Sequence, residues 1–174
     1  HGYKQPKALV QVMGKPILYW LLDNLHVPKD TLICIPYNKA YAHYRFEETL
    51  RKQYPAYNFQ FLCLKNDTRG AAETIQLALD ELIINDQPVL CLDGDNFYTT
   101  DIIRMWGGYD SVFTFYDAQD APIYSYVELL KNDPSVIIDI IEKEKISKYA
   151  CTGAYGFSSW KSLQRKCQYV LENN

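Results

Sequence analysis

The chain lacks most of the features that would give its function away cheaply. It has no Cys-x-x-Cys pair, and its five cysteines (34, 63, 91, 151 and 167) are odd in number. Three lie in apolar strand-like runs, so they read as small buried hydrophobes in a reducing compartment, not as a disulfide framework or a zinc site. No apolar run reaches membrane length and no leader pattern is read at the start. The expected location is therefore the cytoplasm, with no membrane insertion. A surplus of basic charge is missing too. The formal net charge of −3 argues against a protein that lives on nucleic acid, while leaving room for a local basic pocket. No Gly-x-x-x-x-Gly-Lys-Ser/Thr is present, which disfavours a P-loop kinase. Repeats, low-complexity stretches and linkers are absent, so one domain is expected over residues 1–174.

What remains is ordinary in bulk. Of 174 residues, 48% are apolar and 22% charged, enough for a core without disulfides or metals. Tyrosine is frequent, with 15 copies. Most are expected on half-buried strand faces.

The order of elements is more telling. Lys7–Val12 is a short apolar run ended by Gly14-Lys15-Pro16. Ile17 to His26 keeps helical spacing, Thr31–Tyr37 reads as a strand, and Lys39–Tyr54 as an amphipathic helix. Asn58–Leu64 is a further strand. Gly70–Asn85 is a helix with Ile75, Leu79, Leu82 and Ile83 on one face. Val89–Leu92 reads as a short strand buried on both faces. Ser111–Tyr116, Ile123–Leu130, Val136–Glu142 and Tyr149–Phe157 are strand-like, and 158–174 is a helix capped by a serine. Strands alternating with helices mean βαβ units and a mostly parallel sheet flanked by helices, an α/β, Rossmann-like arrangement. The last four strands have no helices between them, so a mixed or antiparallel region is expected there.

Five short constellations carry chemistry. Pro6-Lys7 fixes a lysine that can meet a phosphate, or is simply a surface lysine. Thr68-Arg69-Gly70-Ala71-Ala72-Glu73 opens a helix whose amides suit an anion or a base edge, with Asp67 or Thr68 as the alternative helix cap. Asp93-Gly94-Asp95-Asn96 ends the strand Val89–Leu92. Ligands of open α/β sheets bind outside the carboxyl ends of strands, and carboxylates there suit magnesium and a phosphate. The same four residues also read as a plain Asp-Gly turn. Glu142-Lys143 closes a strand and Thr152-Gly153-Ala154-Tyr155 lies inside one. The alternatives there are a surface ion pair and a β-bulge.

Taken in order, these segments resemble the sugar-phosphate nucleotidyltransferase family, which includes glucose-1-phosphate thymidylyltransferases and choline-phosphate-type cytidylyltransferases. The resemblance runs from Gly2 to about Ser158. It implies a fold like that of GT-A glycosyltransferases and transfer of a nucleoside monophosphate from a nucleoside triphosphate to a phosphorylated sugar or alcohol, with release of pyrophosphate. By position, the resemblance makes Lys7, Asp95 and Lys143 catalytic. Asp95, with Asp93 beside it, would hold Mg2+. Arg69, Gly70, Ala71 and Asp93 would lie on the nucleotide, and Glu142, Lys143 and Gly153 on the acceptor. Surface or capsular polysaccharide precursor synthesis is the implied setting, as a homodimer or fused to a further enzymatic domain.

The family's Gly-x-Gly-x-Arg loop before Pro-Lys is not found, and no convincing second metal-binding acid follows Thr-Gly-Ala-Tyr. The chain is therefore expected to be incomplete at both ends. Two rivals follow: a GT-A-type glycosyltransferase using a nucleotide sugar, and a catalytically silent nucleotidyltransferase-like module.

Overall fold

The structure, a computed structural model, describes residues 5–173. The resemblance runs from Gly2, and residues 2–4 lie outside the described range. Pro6 leads into one turn of 3-10 helix, Lys7–Leu9. A two-residue hairpin follows, β1 (Gln11–Val12) against β2 (Lys15–Pro16), with the tight turn at Met13-Gly14. Helix α1 (Ile17–Asp23) buries Leu18, Leu21 and Leu22. It stops short of His26. The Tyr57 hydroxyl sits 2.7 Å from the Leu22 carbonyl and 2.8 Å from that of Leu25, satisfying the end of the helix from outside.

β3 (Leu32–Asn38) pairs in parallel with β4 (Asn58–Leu64), from Leu32 opposite Asn58 to Asn38 opposite Leu64. The helix expected over residues 39–54 is broken in two. Lys39–Tyr44 is 3-10, Arg45 turns left-handed at φ 48°, and α2 is Phe46–Gln53. The Asn38 side chain accepts from the Ala40 amide and starts the tighter turn. The break still leaves Phe46 and Leu50 in the core.

Helix α3 (Ala71–Asp80) ends five residues before Asn85. Leu79 is buried as expected, but Ile83 is 98% exposed. The helical period stops at Asp80, so Ile83 belongs to the loop that follows rather than to the apolar face. β5 (Val89–Leu92) and the single-turn helix α4 (Ile102–Met105) come next. β6 (Ser111–Tyr116), β7 (Ser125–Leu130), β8 (Asp133–Glu142) and β9 (Tyr149–Phe157) complete a five-stranded sheet in the order β5-β9-β7-β8, with β6 also on β9. Helix α5 (Trp160–Asn173) closes the described chain. Its first turn is capped as expected of a serine, the Ser159 hydroxyl accepting from the Ser162 amide at 3.0 Å.

The α/β class and mixed sheet stand. Parallel pairing is narrower than the alternation implies. Among the described residues it is confined to β3 and β4, and the five-stranded sheet is antiparallel throughout. β5 packs on both faces, as expected, although each of its four residues is only half-buried. Leu90 and Leu92 join Ile33 and Ile35 of β3 on one core, around Leu22, Leu50, Phe59 and Ala154, while Val89 and Cys91 face the other way onto a second. That second core joins α3 to α5 through Leu79, Trp160, Leu163 and Cys167. All five cysteines are free thiols. Burial pushes Cys91 up to about 12, while Cys63 is exposed. No helix among the described residues is long and apolar enough to cross a membrane.

Candidate functional site

β5 delivers Asp93 to the end of the sheet, where the Asp93 amide donates to the Gly153 carbonyl of β9 at 2.9 Å. The pairing of Leu92 with Ala154 leads directly into this contact. Gly153 has φ +79°, and a Cβ there would lie 2.8 Å from Cγ of Asp93. A side chain at 153 would occupy the place of the carboxylate, so only glycine permits this approach.

The turn after Asp93 is held by residues the motif reading passed over. The Asn96 amide group donates to the Thr152 carbonyl. The Tyr98 hydroxyl donates to the same carbonyl at 3.1 Å, and Tyr98 is 9% exposed. Burial, then the charge of Asp93, raises the Tyr98 phenol to about 12, so it remains a donor. An aromatic residue just past an acid pair was the only sequence signal for this role, and it was weak.

Asp95 points outward from the same turn. Its carboxylate lies 4.0 Å from the Lys7 ammonium, which the 3-10 turn after Pro6 carries to this end of the sheet. The Lys7 side chain is 86% exposed, so the pair leaves the cation free to take another anion. Asp93 is exposed as a residue, but its carboxyl lies against Gly153. Desolvation, then the like charge of Asp95, pushes that carboxyl above the ordinary carboxylate range. No group of three or more His, Cys, Asp or Glu residues suited to a metal occurs among the described residues. Two neighbouring oxygen donors with an open side fit magnesium, which takes one or two protein carboxylates and fills its octahedron with water and phosphate oxygens.

Arg69, Gly70 and Ala71 lie at the start of α3. Gly70 has φ +154° and open space where a Cβ would stand. Neither Asp67 nor Thr68 caps this helix. The Glu73 carboxylate instead reaches back past the Gly70 N-cap and accepts from the Arg69 amide at 2.6 Å. The Arg69 guanidinium turns away, donating to the Leu171 carbonyl of α5 at 3.2 Å. The Gly70 backbone, not the Arg69 fork, is what this helix start presents. Beside it is a cleft of about 310 Å³ between the carboxyl ends of β3 and β4, lined by Tyr37, Asn38, Tyr41, Asn66, Thr68 and Thr74 among others. A second cleft of about 480 Å³, bordered by Gln5, Pro6 and His43, shares Asn38 with it. The two clefts meet at Asn38, one beside Pro6 and the other beside Thr68.

Glu142 and Lys143 lie across the sheet. Lys143 has φ +56°, and its amide donates to the Tyr124 carbonyl at 2.8 Å. Tyr126 of β7 is opposite Ala150 of β9. Two steps along this antiparallel ladder lead to Tyr124 on one strand and toward Thr152 on the other. Lys143 is thereby fastened at the end of the sheet where Thr152 and Gly153 meet Asp93. The Glu142 carboxylate and Lys143 ammonium pair at 2.8 Å, both about 70% exposed. Their hydrogen bond lowers the Glu142 carboxyl and raises the Lys143 amine. Lys7 and Asp95 thus meet beside the contact of Asp93 with Gly153, while Gly70 starts α3 and Lys143 is tied to Tyr124.

Residues 2–172 match the family described as "Nucleotidyl transferase". No curated protein matches the chain. Several solved structures share its fold. A nucleoside-diphosphate-sugar pyrophosphorylase from Vibrio cholerae RC9 superposes with a TM-score of 0.76 at 22% identity, over 97% of this chain and 72% of its own. HddC from Yersinia pseudotuberculosis gives 0.69 at 20%, over 94% and 71%. The inositol-1-phosphate CTP transferase from T. maritima gives 0.71 at 14%, over 95% and 66%. The chain therefore spans about two thirds to three quarters of the length of these proteins.

Proposed function

Because this chain belongs to the nucleotidyl transferase family, we propose that it transfers a nucleoside monophosphate from a nucleoside triphosphate to a phosphorylated sugar or alcohol. The reading is supported above all by the meeting of Lys7, Asp95 and Asp93 beside Gly153, at the end of β5. An oxygen of the acceptor phosphate attacks the α-phosphorus of the triphosphate. The new P–O bond replaces the bond to the bridging oxygen of the β-phosphate, and pyrophosphate leaves. No protein nucleophile is required, since the acceptor phosphate is already ionised.

The difficulty is repulsion. Two phosphates about 4 Å apart repel by about 4 kcal/mol per pair of unit charges at an effective dielectric of 20. Lys7 and Lys143 both keep exposed ammonium groups. Lys7 neutralises charge on the transferring group, while Lys143 exchanges Glu142 for the acceptor phosphate. Asp93 and Asp95 would hold Mg2+, which supplies charge neutralisation at the α-phosphate and helps hold the attack in line. The Gly70 backbone and the β3–β4 cleft take the nucleotide. Asn38, Asn66 and Thr68 there offer polar groups for a base or ribose edge.

The test supplies the full-length protein with each of four nucleoside triphosphates and a panel of sugar and alcohol phosphates, and follows pyrophosphate. Magnesium-dependent release with one pairing is expected. Release of nucleoside diphosphate from a nucleotide sugar without pyrophosphate would identify a glycosyltransferase instead. Nucleotide binding with no turnover in any pairing would identify a silent module.

A further inference from the structure

The connection from β8 to β9, residues 143–148, is pinned from below by a buried carboxylate that no motif pointed to. Asp117 follows β6 and is 3% exposed. Its Oδ1 accepts from the Gln119 amide at 2.9 Å, and its Oδ2 accepts from the Tyr126 hydroxyl at 2.7 Å. The Lys145 ammonium lies 3.6 Å from the same Oδ2 and 5.7 Å from the centre of the Tyr126 ring. The Lys145 side chain is only 22% exposed.

The backbone around Lys145 is fixed as well. The Asp117 amide donates to the Lys148 carbonyl at 2.9 Å. The Ser147 hydroxyl donates to the Val127 carbonyl at 2.6 Å, and the Ile146 amide to that of Glu144 at 3.0 Å. Asp117 thus joins the end of β6, the start of β7 and the β8–β9 turn in one contact set. Lys143 stands two residues before Lys145 in that turn, in a left-handed conformation that a lysine rarely adopts unaided. Among the described residues its ammonium pairs with the exposed Glu142 of the same strand end, so the backbone of the turn sets where both side chains start.

We propose that Lys145 and Asp117 are a positioning pair, which locks the turn that carries Lys143 and so sets the enzyme's affinity for the acceptor phosphate. The proposal rests on the reading of Lys143 as the acceptor-phosphate ligand. Lys145 does not itself take the phosphate. Its charge is matched by Asp117, and its ammonium is held inward. Both residues act through the position of Lys143.

Two measurements on the full-length protein decide the matter. The first is amide hydrogen exchange over residues 143–148. Lys145→Met should speed it about tenfold, with β5 and β9 unchanged, and Lys145→Arg, which keeps the charge, should restore it. The second is steady-state kinetics with whichever sugar or alcohol phosphate supports turnover. Lys145→Met and Asp117→Asn should raise the acceptor KM about tenfold, with kcat and the triphosphate KM within about twofold. Unchanged exchange overturns the proposal. So does faster exchange with an unchanged acceptor KM, or equal loss for both substrates with a lowered Tm, which marks a purely structural tie. Lys143→Ala separates the two levels of inference. If that variant leaves the acceptor KM unchanged, the reading of Lys143 fails and the proposal fails with it. If it raises the KM and Lys145→Met does not, only the positioning pair is wrong.

Discussion

The Asp93 amide and the Gly153 carbonyl are 2.9 Å apart, and the Asp93 carboxylate fills the space where any other residue at 153 would carry its Cβ. Strand pairing and site geometry are therefore one arrangement here. The ladder that joins β5 to β9 also sets the acid.

Gly153→Ala tests this directly. The new methyl would enter a left-handed position at φ +79°, 2.8 Å from Cγ and 3.0 Å from Cβ of Asp93. Unfavourable backbone and overpacking together should cost about 2–4 kcal/mol. A fall in Tm of about 5–10 °C is expected for a chain of this size. In an Asp93→Ala background the carboxyl group is gone, and the same substitution should cost less. That coupling would show that the carboxylate is the obstacle. Equal costs in both backgrounds would assign the loss to backbone strain alone.

How far this was legible from residues differs from place to place. Asp93 and Asp95 stood out because a short apolar strand ends in acids. Gly153 stands out as a glycine inside an apolar strand, which the resemblance places on the acceptor. The resemblance puts Arg69 on the nucleotide, yet its guanidinium donates to Leu171, a contact that depends on where α5 packs and so on the tertiary fold. Ile83 departs from the expected apolar face because a repeating apolar spacing does not reveal where the helix stops. Asp117, Tyr126 and Lys145 were invisible. They are far apart in sequence and meet only once β6, β7 and β9 have taken their register.

Asp95→Asn should abolish magnesium-dependent turnover in the full-length protein and leave the fold intact. Its partner Lys7 is 86% exposed at 4.0 Å, and such pairs contribute about 0–1 kcal/mol. A Tm within about 2 °C of wild type is expected. Activity within threefold of wild type would contradict the metal role.

Two acids should respond to pH with opposite signs. Asp93 is raised in the folded state by burial and then by Asp95. Keeping it ionised at neutral pH costs the fold stability, and that cost disappears as pH falls below the unfolded value of about 3.9. Without metal, Asp93→Asn should therefore raise Tm at pH 7 and have no effect near pH 3. Asp117 is lowered, first by the Tyr126 hydroxyl and the Gln119 amide, then by Lys145. Its contribution is present above about pH 3.9 and is lost as pH falls through its depressed folded value. Asp117→Asn should lower Tm at pH 7, with the difference narrowing in acid. Thermal unfolding across pH checks both, and same-signed shifts at pH 7 would refute the assignment.

Lys143 can be removed in two ways that part charge from backbone. Lys143→Gly suits φ +56° and should cost the fold nothing, whereas Lys143→Ala retains a Cβ in a left-handed position. Both delete the ammonium. If that charge binds the acceptor phosphate in the ground state, both should raise the acceptor KM about ten- to a hundredfold, the scale expected for losing a charged hydrogen bond. The triphosphate KM should stay within about twofold. The two variants should differ in Tm and agree in KM. A loss confined to triphosphate affinity would move Lys143 to the nucleotide side of the site.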